Sequence, residues 1–352
     1  MEKSNHVLIG LSGGVDSAVA SFLLKEKGFQ VAGLYLHLID ELESPASSNN
    51  RYRAQKVAQK LNIPFYEIDY REEFYRIIIA DFIEQYRKGL TPNPCIFCNE
   101  KVKFKLLYDF ALKEGFTHIA TGHYVRVEKN EKENRYILKR GIDEKKEQSY
   151  FLYRIKESIL SKCIFPLGSL RKEDVKRIAL EIGLVDYTEK DSQEICFIPG
   201  NDYRKLLVEQ GKIKKEEGYF LDSAGNILGK HKGISFYTVG QRRKTGLSLN
   251  SRKYVLKISA QDNSVIIGNE GELYKQEFEV TVLSFISPNS ITKPTRLLVQ
   301  IRYNTPPARA VVYPYDEKKM KITFDVAQRA ITPGQSAVFY DKDIVLGGGI
   351  IT

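Results

Sequence analysis

Val7-Leu8-Ile9-Gly10-Leu11, then Ser12-Gly13-Gly14-Val15-Asp16-Ser17, then Ala18-Val19-Ala20-Ser21-Phe22-Leu23-Leu24-Lys25: this stretch decides how the chain reads. The apolar run predicts a buried parallel strand and the last segment a helix, with a glycine-paired turn between them. Such a turn aims several backbone N–H groups at one anion, on top of the positive end of the helix dipole. Gly13 and Gly14 allow close approach of a phosphate and a positive φ where one is required. Ser12 and Ser17 can donate to phosphate oxygens, and Asp16 can hold a magnesium ion that shields their charge.

The commoner nucleotide loops do not fit. No lysine follows the glycines as in a Walker A loop, and the Gly-x-Gly-x-x-Gly spacing is missing. Ser-Gly-Gly-x-Asp-Ser after a strand resembles the pyrophosphate-binding loop (PP-loop) of the ATP pyrophosphatases. That resemblance implies cleavage of ATP to AMP and pyrophosphate, with adenylation of a substrate.

Outward from the loop, strands alternate with helices up to about Gly200. Strands are expected at Val31–Leu36, Phe65–Ile68 and His118–Gly122, and helices at Tyr52–Leu61, Phe74–Tyr86 and Lys101–Lys113. This alternation predicts an α/β fold with a parallel sheet covered on both faces. Ligands of such sheets sit beyond the carboxyl ends of the strands, which gathers residues 12–17, Leu36 and Gly122-His123 around one crevice. After a short helix, Tyr203 to Gln210, glycine-punctuated strands run to Asn269. Six short strand-like segments follow: Phe278–Phe285, Thr295–Tyr303, Arg309–Tyr313, Lys319–Phe324, Ser336–Tyr340 and Ile344–Gly347. They predict a small antiparallel barrel. The expected domains are residues 1–200 (catalytic, ATP-binding), 201–274 (central, β-rich) and 275–352 (C-terminal β-barrel).

Composition narrows the function classes. The 352 residues are 42% hydrophobic, enough for a large core, and no stretch is apolar enough to cross a membrane. Met1 to His6 runs straight into the first strand, leaving no room for a signal peptide. Four cysteines in a chain of this size do not make a disulfide framework, so a reducing cytoplasm is expected. The net charge of +10 favours a polyanionic partner, with basic clusters at Gln241–Lys244 and Arg252-Lys253. Lys129 to Arg135 mixes both signs and reads as a solvated hairpin tip.

Cys95 and Cys98 precede the helix expected over 101–113. Asn99 reads as its N-cap, which would set Cys98 at the positive helix end and lower its thiol pKa. Cys196 lies far off, and Cys163, between apolar neighbours, reads as an ordinary buried thiol. Three arrangements are open for Cys95, Cys98 and Cys196. A zinc site needs four ligands, and no second Cys-x-x-Cys completes one. A three-cysteine iron–sulfur cluster would leave an open iron. The simplest reactive scheme uses two thiols, one carrying a transferable sulfur and the other cleaving the persulfide, leaving a disulfide.

Many short motifs now add up. Gly10 to Ser17, Thr91-Pro92-Asn93-Pro94, Cys98-Asn99, Lys103-Phe104, Ala120 to Tyr124, Gln148 to Leu152, Asp191-Ser192, Ile195 to Ile198, Thr332 to Ser336 and Gly347 to Gly349 resemble the tRNA-specific 2-thiouridylases, the MnmA/TrmU family. The resemblance spans nearly the whole chain in order. It implies ATP on Gly10, Leu11, Ser12, Gly13, Gly14, Val15, Asp16 and Ser17, with Leu36 and Gly122 on the adenine side. It implies adenylation of O2 of a wobble uridine, then sulfur transfer from a persulfide on Cys196 with Cys98 as partner nucleophile, giving 2-thiouridine. Asn93, Pro94 and Cys95 match the segment that touches the target base. Lys146, Glu147, Gln148, Arg302 and Tyr303 match tRNA contacts, and His123 and Gln335 match supporting positions. For His123, a satisfied histidine at a strand end is an equal reading. Implied partners are glutamate, glutamine and lysine tRNAs and a sulfur-relay or cysteine desulfurase protein.

The chain departs from the family pattern in three places. Cys95 stands where many members have Asp, which keeps the cluster arrangement open. The Asp40–Asn50 loop is short and serine-rich rather than long and acidic, and Glu147 replaces a common Asp. Two other classes compete: a small-molecule ligase or amidotransferase using the same loop, and a nucleic-acid-binding protein with a vestigial ATP site. The first leaves Cys98, Cys196 and the basic strand-rich half without a task, and the intact loop and cysteines argue against the second.

Overall fold

A computed structural model of the chain describes residues 5–39, 47–184, 195–198, 200, 202–211, 213, 216–247, 251–287, 291–316 and 318–352. Asp191-Ser192 and the Asp40 to Ala46 part of the serine-rich loop lie outside the described residues. Two compact units form, each from separate stretches of chain: Met1–Ile77, Cys95–Pro199 and Asp343–Leu346 in the first, Ile78–Pro94, Gly200–Lys342 and Gly347–Thr352 in the second.

In the first unit the apolar run at 7–11 is the middle strand of a parallel sheet. β1 (His6–Gly10) lies between β2 (Gln30–His37) and β4 (His118–Ala120). β3 (Phe65–Asp69) flanks β2, and the two-residue strand Cys163–Ile164 flanks β4, all in parallel register. Val7, Leu8 and Ile9 are fully buried because helices cover the sheet. The helix Val15–Glu26 contributes Val19 and Leu24, Ser47–Leu61 contributes Val57, and Lys172–Glu181 contributes Val175 to one apolar cluster with Val7 and Ile9. The strand order turns back at β1, and this switch point opens a crevice beyond its carboxyl end. The Gly10–Ser17 turn lies there.

The helix expected over 101–113 is longer and interrupted. Pro94–Cys98 and Phe104–Lys113 are α-helical, and Asn99–Lys103 between them is a π turn. The helix expected over 74–86 likewise carries a π turn, at Tyr75–Ile79. The mixed-charge run at 129–135 is the tip of an antiparallel hairpin, β5 (Val125–Asn130) with β6 (Arg135–Arg140).

The second unit is β-rich. Four strands, Gly218–Leu221, Ile227–His231, Tyr254–Ser259 and Ser264–Gly268, form one sheet. The six segments expected for a barrel all appear: Tyr274–Phe285, Thr295–Gln300, Ala308–Pro314, Met320–Arg329, Ser336–Asp341 and Ile344–Ile351. Pairing of the first of these with both the fourth and the last closes the antiparallel barrel. Its interior holds Val280, Val299, Val312, Ile322 and Val338. The strand expected to reach Tyr303 stops at Gln300, whose side-chain amide donates to the carbonyls of Arg302, Tyr303 and Thr305. Three carbonyls so gathered turn the chain out of the sheet. Among the described residues no helix is long and apolar enough to cross a membrane.

Candidate functional site

The turn at the end of β1 is held by its own hydroxyls. Ser17 Oγ donates to Gly14 O at 3.0 Å and accepts from the backbone N–H of Ser12 at 3.2 Å. The proton of Ser17 is therefore engaged inside the turn; Ser12 is an exposed residue, and its Oγ lies 3.2 Å from Ser17 Oγ and accepts from the Gly14 N–H at 3.4 Å. Gly13 has φ +77°, and a Cβ there would sit 2.3 Å from Asn50 O, so conformation and space both demand glycine. Gly14 needs no such freedom: it is extended, at φ −92°, and serves as the N-cap of the helix Val15–Glu26. Gly122, expected on the adenine side, also backs the turn, because a Cβ there would meet Asp16 C at 2.8 Å and Ser17 N at 2.9 Å. Leu36 is half-buried at the end of β2.

Asp16 is engaged by two groups that the sequence did not single out for it. Tyr124 Oη and Lys172 Nζ both reach Asp16 Oδ1 at 2.7 Å. Lys172 is almost fully enclosed, with 6% of its side chain exposed, and its backbone N–H donates to Asp143. No lysine follows the glycines in sequence, yet the fold delivers one to the loop from 156 residues away. Nothing local to Lys172 signals this. The second carboxylate oxygen, Oδ2, has no hydrogen bond among the described residues.

A second cluster in the first unit gathers sulfur. All four cysteines are unpaired; Cys98 is buried, Cys95 half-buried and Cys196 exposed. Burial pushes the Cys98 thiol up to about 12 and the Cys95 thiol up to about 11. The expectation that a helix N-terminus lowers the Cys98 pKa is overturned. The helical stretch already starts at Pro94, so Cys98 lies inside it, and desolvation outweighs any dipole benefit. Asn99 does not cap: its Nδ2 donates to Phe151 O at 3.3 Å. Around Cys196, crowding by protein atoms raises the thiol although its residue reaches solvent. Lys103 and the backbone N–H groups of Cys196 and Phe197 oppose that rise.

Lys103 is the group common to these thiols. Its charge lowers the pKa of Cys95, Cys98 and Cys196, and their combined pull holds Lys103 up against its own burial. The three sulfurs, 101 residues apart along the chain at their extremes, are thus brought within electrostatic reach of one another. His123 lies beside them. Burial and Lys103 push its imidazole down to about 3, and Nδ1 pairs with Thr121 Oγ1 at 2.7 Å. It is a neutral, satisfied histidine, its ring tilted by 40° to that of Phe104 at 5.7 Å between ring centres. Among the described residues, which include all four cysteines, no three His, Cys, Asp or Glu side chains converge to hold a metal ion.

A protein-family model described as the tRNA methyl transferase HUP domain matches residues 5–200. Models of a PRC-barrel domain and an aminomethyltransferase β-barrel domain of the same group match 207–269 and 275–351. The tRNA-specific 2-thiouridylase MnmA of Clostridioides difficile strain 630 is 43% identical over all of this chain and 99% of that protein. The chain belongs to the tRNA-specific 2-thiouridylases. A relative of that name from Thermoanaerobacter sp. strain X514 is 45% identical over 100% of this chain and 99% of its own. Another, from Acetivibrio thermocellus, is 42% identical over 98% of each.

The residues that match tRNA contacts of the 2-thiouridylases fall in both units, and several are engaged internally. Glu147 is buried, its carboxylate accepting from Arg140 and the Ser149 N–H, so its side chain is not presented to a partner. Gln148 clasps the Tyr124 backbone at 3.0 Å, and Lys146 is half-buried. In the second unit Arg302 donates to Val239 O at 3.1 Å and to Thr332 Oγ1. Tyr303 is half-buried beside it. Gln335 Nε2 donates to Thr91 O at 2.7 Å, and Pro333 O accepts from Thr91 N–H at 3.0 Å, clamping the loop that carries Asn93 and Pro94. Gln335 thus holds the Thr91–Pro94 loop through its backbone.

Proposed function

We propose that this protein converts a wobble uridine of tRNA to 2-thiouridine by adenylation followed by persulfide sulfur transfer. The observation that carries the reading is the pairing, within one unit, of a phosphate turn with a cluster of desolvated thiols around Lys103. ATP lies on Gly10 to Ser17, the triphosphate over the Ser12 hydroxyl and the helix N-terminus, the adenine toward Leu36. The free oxygen of Asp16, Oδ2, suits a magnesium ion, which commonly takes one carboxylate plus substrate phosphates; when bound it would supply charge neutralisation.

The uridine, out of its stack and held by the Asn93–Cys95 segment, attacks the α-phosphorus through O2 and loses its N3 proton. Pyrophosphate leaves, and C2 now carries AMP as a good leaving group. The terminal sulfur of a Cys196 persulfide attacks C2 and expels AMP. Cys98 thiolate then attacks Cys196 Sγ, forming the Cys98–Cys196 disulfide and releasing the thiocarbonyl, which recovers a proton at N3. The two electrons that reduce the transferred sulfur come from the two thiols, so each turnover needs a dithiol reductant and a fresh persulfide donor. A methyl transfer, which the family-model description names, gives the phosphate turn and the thiol pair no task.

Mass spectrometry of nucleosides tests this, on unmodified glutamate, glutamine or lysine tRNA with Mg-ATP, a cysteine desulfurase with cysteine as persulfide donor and a dithiol reductant, aerobically and anaerobically. ATP-dependent 2-thiouridine in both is expected. Product only without oxygen would favour an iron–sulfur route through Cys95, Cys98 and Cys196, and pyrophosphate release without tRNA would favour a small-molecule ligase. The free thiols suit a reducing cytoplasm.

A further inference from the structure

Lys103 has no task in the reaction as drawn, yet the fold goes out of its way to place it. In an α-helix, residues five apart lie about 140° around the axis, so Cys98 and Lys103 would face different ways. The π turn Asn99–Lys103 removes that mismatch, since its backbone bonds run from residue i+5 to residue i: Phe104 N–H donates to Asn99 O. Cys98 and Lys103 are thereby stacked on one face. π turns of this kind carry a cost and concentrate at functional positions.

The surroundings fit a counter-ion. The groups facing Lys103 are Cys95 and Cys98 from its own helical stretch, Cys196 from the 195–198 segment and His123 from beyond β4. His123 is neutral, so it neither competes with nor replaces the ammonium. No hydrogen bond or ion pair ties Lys103 to a carboxylate among the described residues. A buried ammonium whose partners are thiols is stabilised most when one of them is ionised.

We propose that Lys103 is a positioning residue for sulfur transfer: it holds the negative charge on Cys196 sulfur before attack, and on Cys98 when the disulfide forms. This rests on the persulfide reading above. The anion moves from the Cys196 side to the Cys98 side during turnover, and one cation within reach of both serves both steps.

The test is the pH dependence of alkylation at each cysteine of the tRNA-free protein, read by peptide mass spectrometry. In Lys103→Met the Cys196 profile moves to higher pH, by about one unit, so reaction at pH 7 slows about tenfold; Lys103→Arg restores it. Superimposable wild-type and Lys103→Met profiles would overturn the proposal. Should Lys103→Met fail to fold, the wild-type chain answers alone. Iodoacetate, an anion, gains on neutral iodoacetamide at Cys196 relative to a cysteine peptide if a cation stands beside the sulfur, and an equal or lower ratio rejects Lys103 in that role. Retained thiolation in Cys196→Ser would sink the persulfide reading instead, independently of either alkylation result.

Discussion

The two centres of the first unit handle charge in opposite ways. The turn at 12–17 is built from backbone and short hydroxyls: Ser17 and Gly14 lock its shape, Gly122 lets it lie close to β4's end, and Ser12 is exposed. Solvent and a helix dipole share the work of receiving an anion. The cysteine cluster is built from side chains: Cys98 is drawn out of water, Cys196 reaches it, crowding by protein atoms holds the thiols protonated, and one ammonium is their counterweight. Withdrawal from water strengthens the charge interactions around Cys98, whereas charges at the exposed turn stay screened. The pairing teaches that the two clusters of one unit differ in their local dielectric as well as in residue type.

That contrast can be broken at specific positions. The largest effect is expected from Cys196→Ser, which abolishes 2-thiouridine while tRNA-dependent pyrophosphate release continues; both are read in one assay. Next comes Gly13→Ala. A left-handed φ costs about 1–3 kcal/mol for a residue with a Cβ. The clash with Asn50 O adds to it, so pyrophosphate release falls about a hundredfold by the same assay. Lys172→Met strands the Asp16 carboxylate in a half-enclosed place and lowers stability by about 2 kcal/mol in urea melts, less than for a fully buried pair because Asp16 reaches solvent.

Smaller effects sharpen the comparison on the sulfur side. His123 has its pKa pushed down to about 3, so the unfolded chain takes up its proton first as pH falls. The stability it contributes is complete above about pH 6.5 and declines as pH drops toward 3. His123→Gln flattens that decline in melts at pH 7, 5.5 and 4.5. The least effect belongs to Gln335→Ala, which removes one clamp on Thr91, costs about 1 kcal/mol and raises the KM for tRNA a few-fold.

Legibility in the sequence follows the same divide. The turn at 12–17, the alternation that makes the parallel sheet and the six barrel segments are local patterns, and each appears where its periodicity puts it. The Cys98 thiol departs from the local expectation of an N-cap dipole because burial governs its pKa. Arg302, Glu147 and Gln335 read as polar contact residues, yet their side chains are engaged inside the units. Only neighbours in space reveal that.

By itself the sequence determined the glycine-paired turn after the first strand, the alternation behind the parallel sheet and the barrel segments, because backbone conformation and hydrophobic period are set by residues a few positions apart. Tertiary structure alone decided that Lys172 and Tyr124 hold Asp16, that Lys103 rather than His123 is the charge beside the sulfurs, and that Cys98 is a desolvated thiol. Those are properties of charge in a low-dielectric interior, and they depend on which distant side chains replace water around a group.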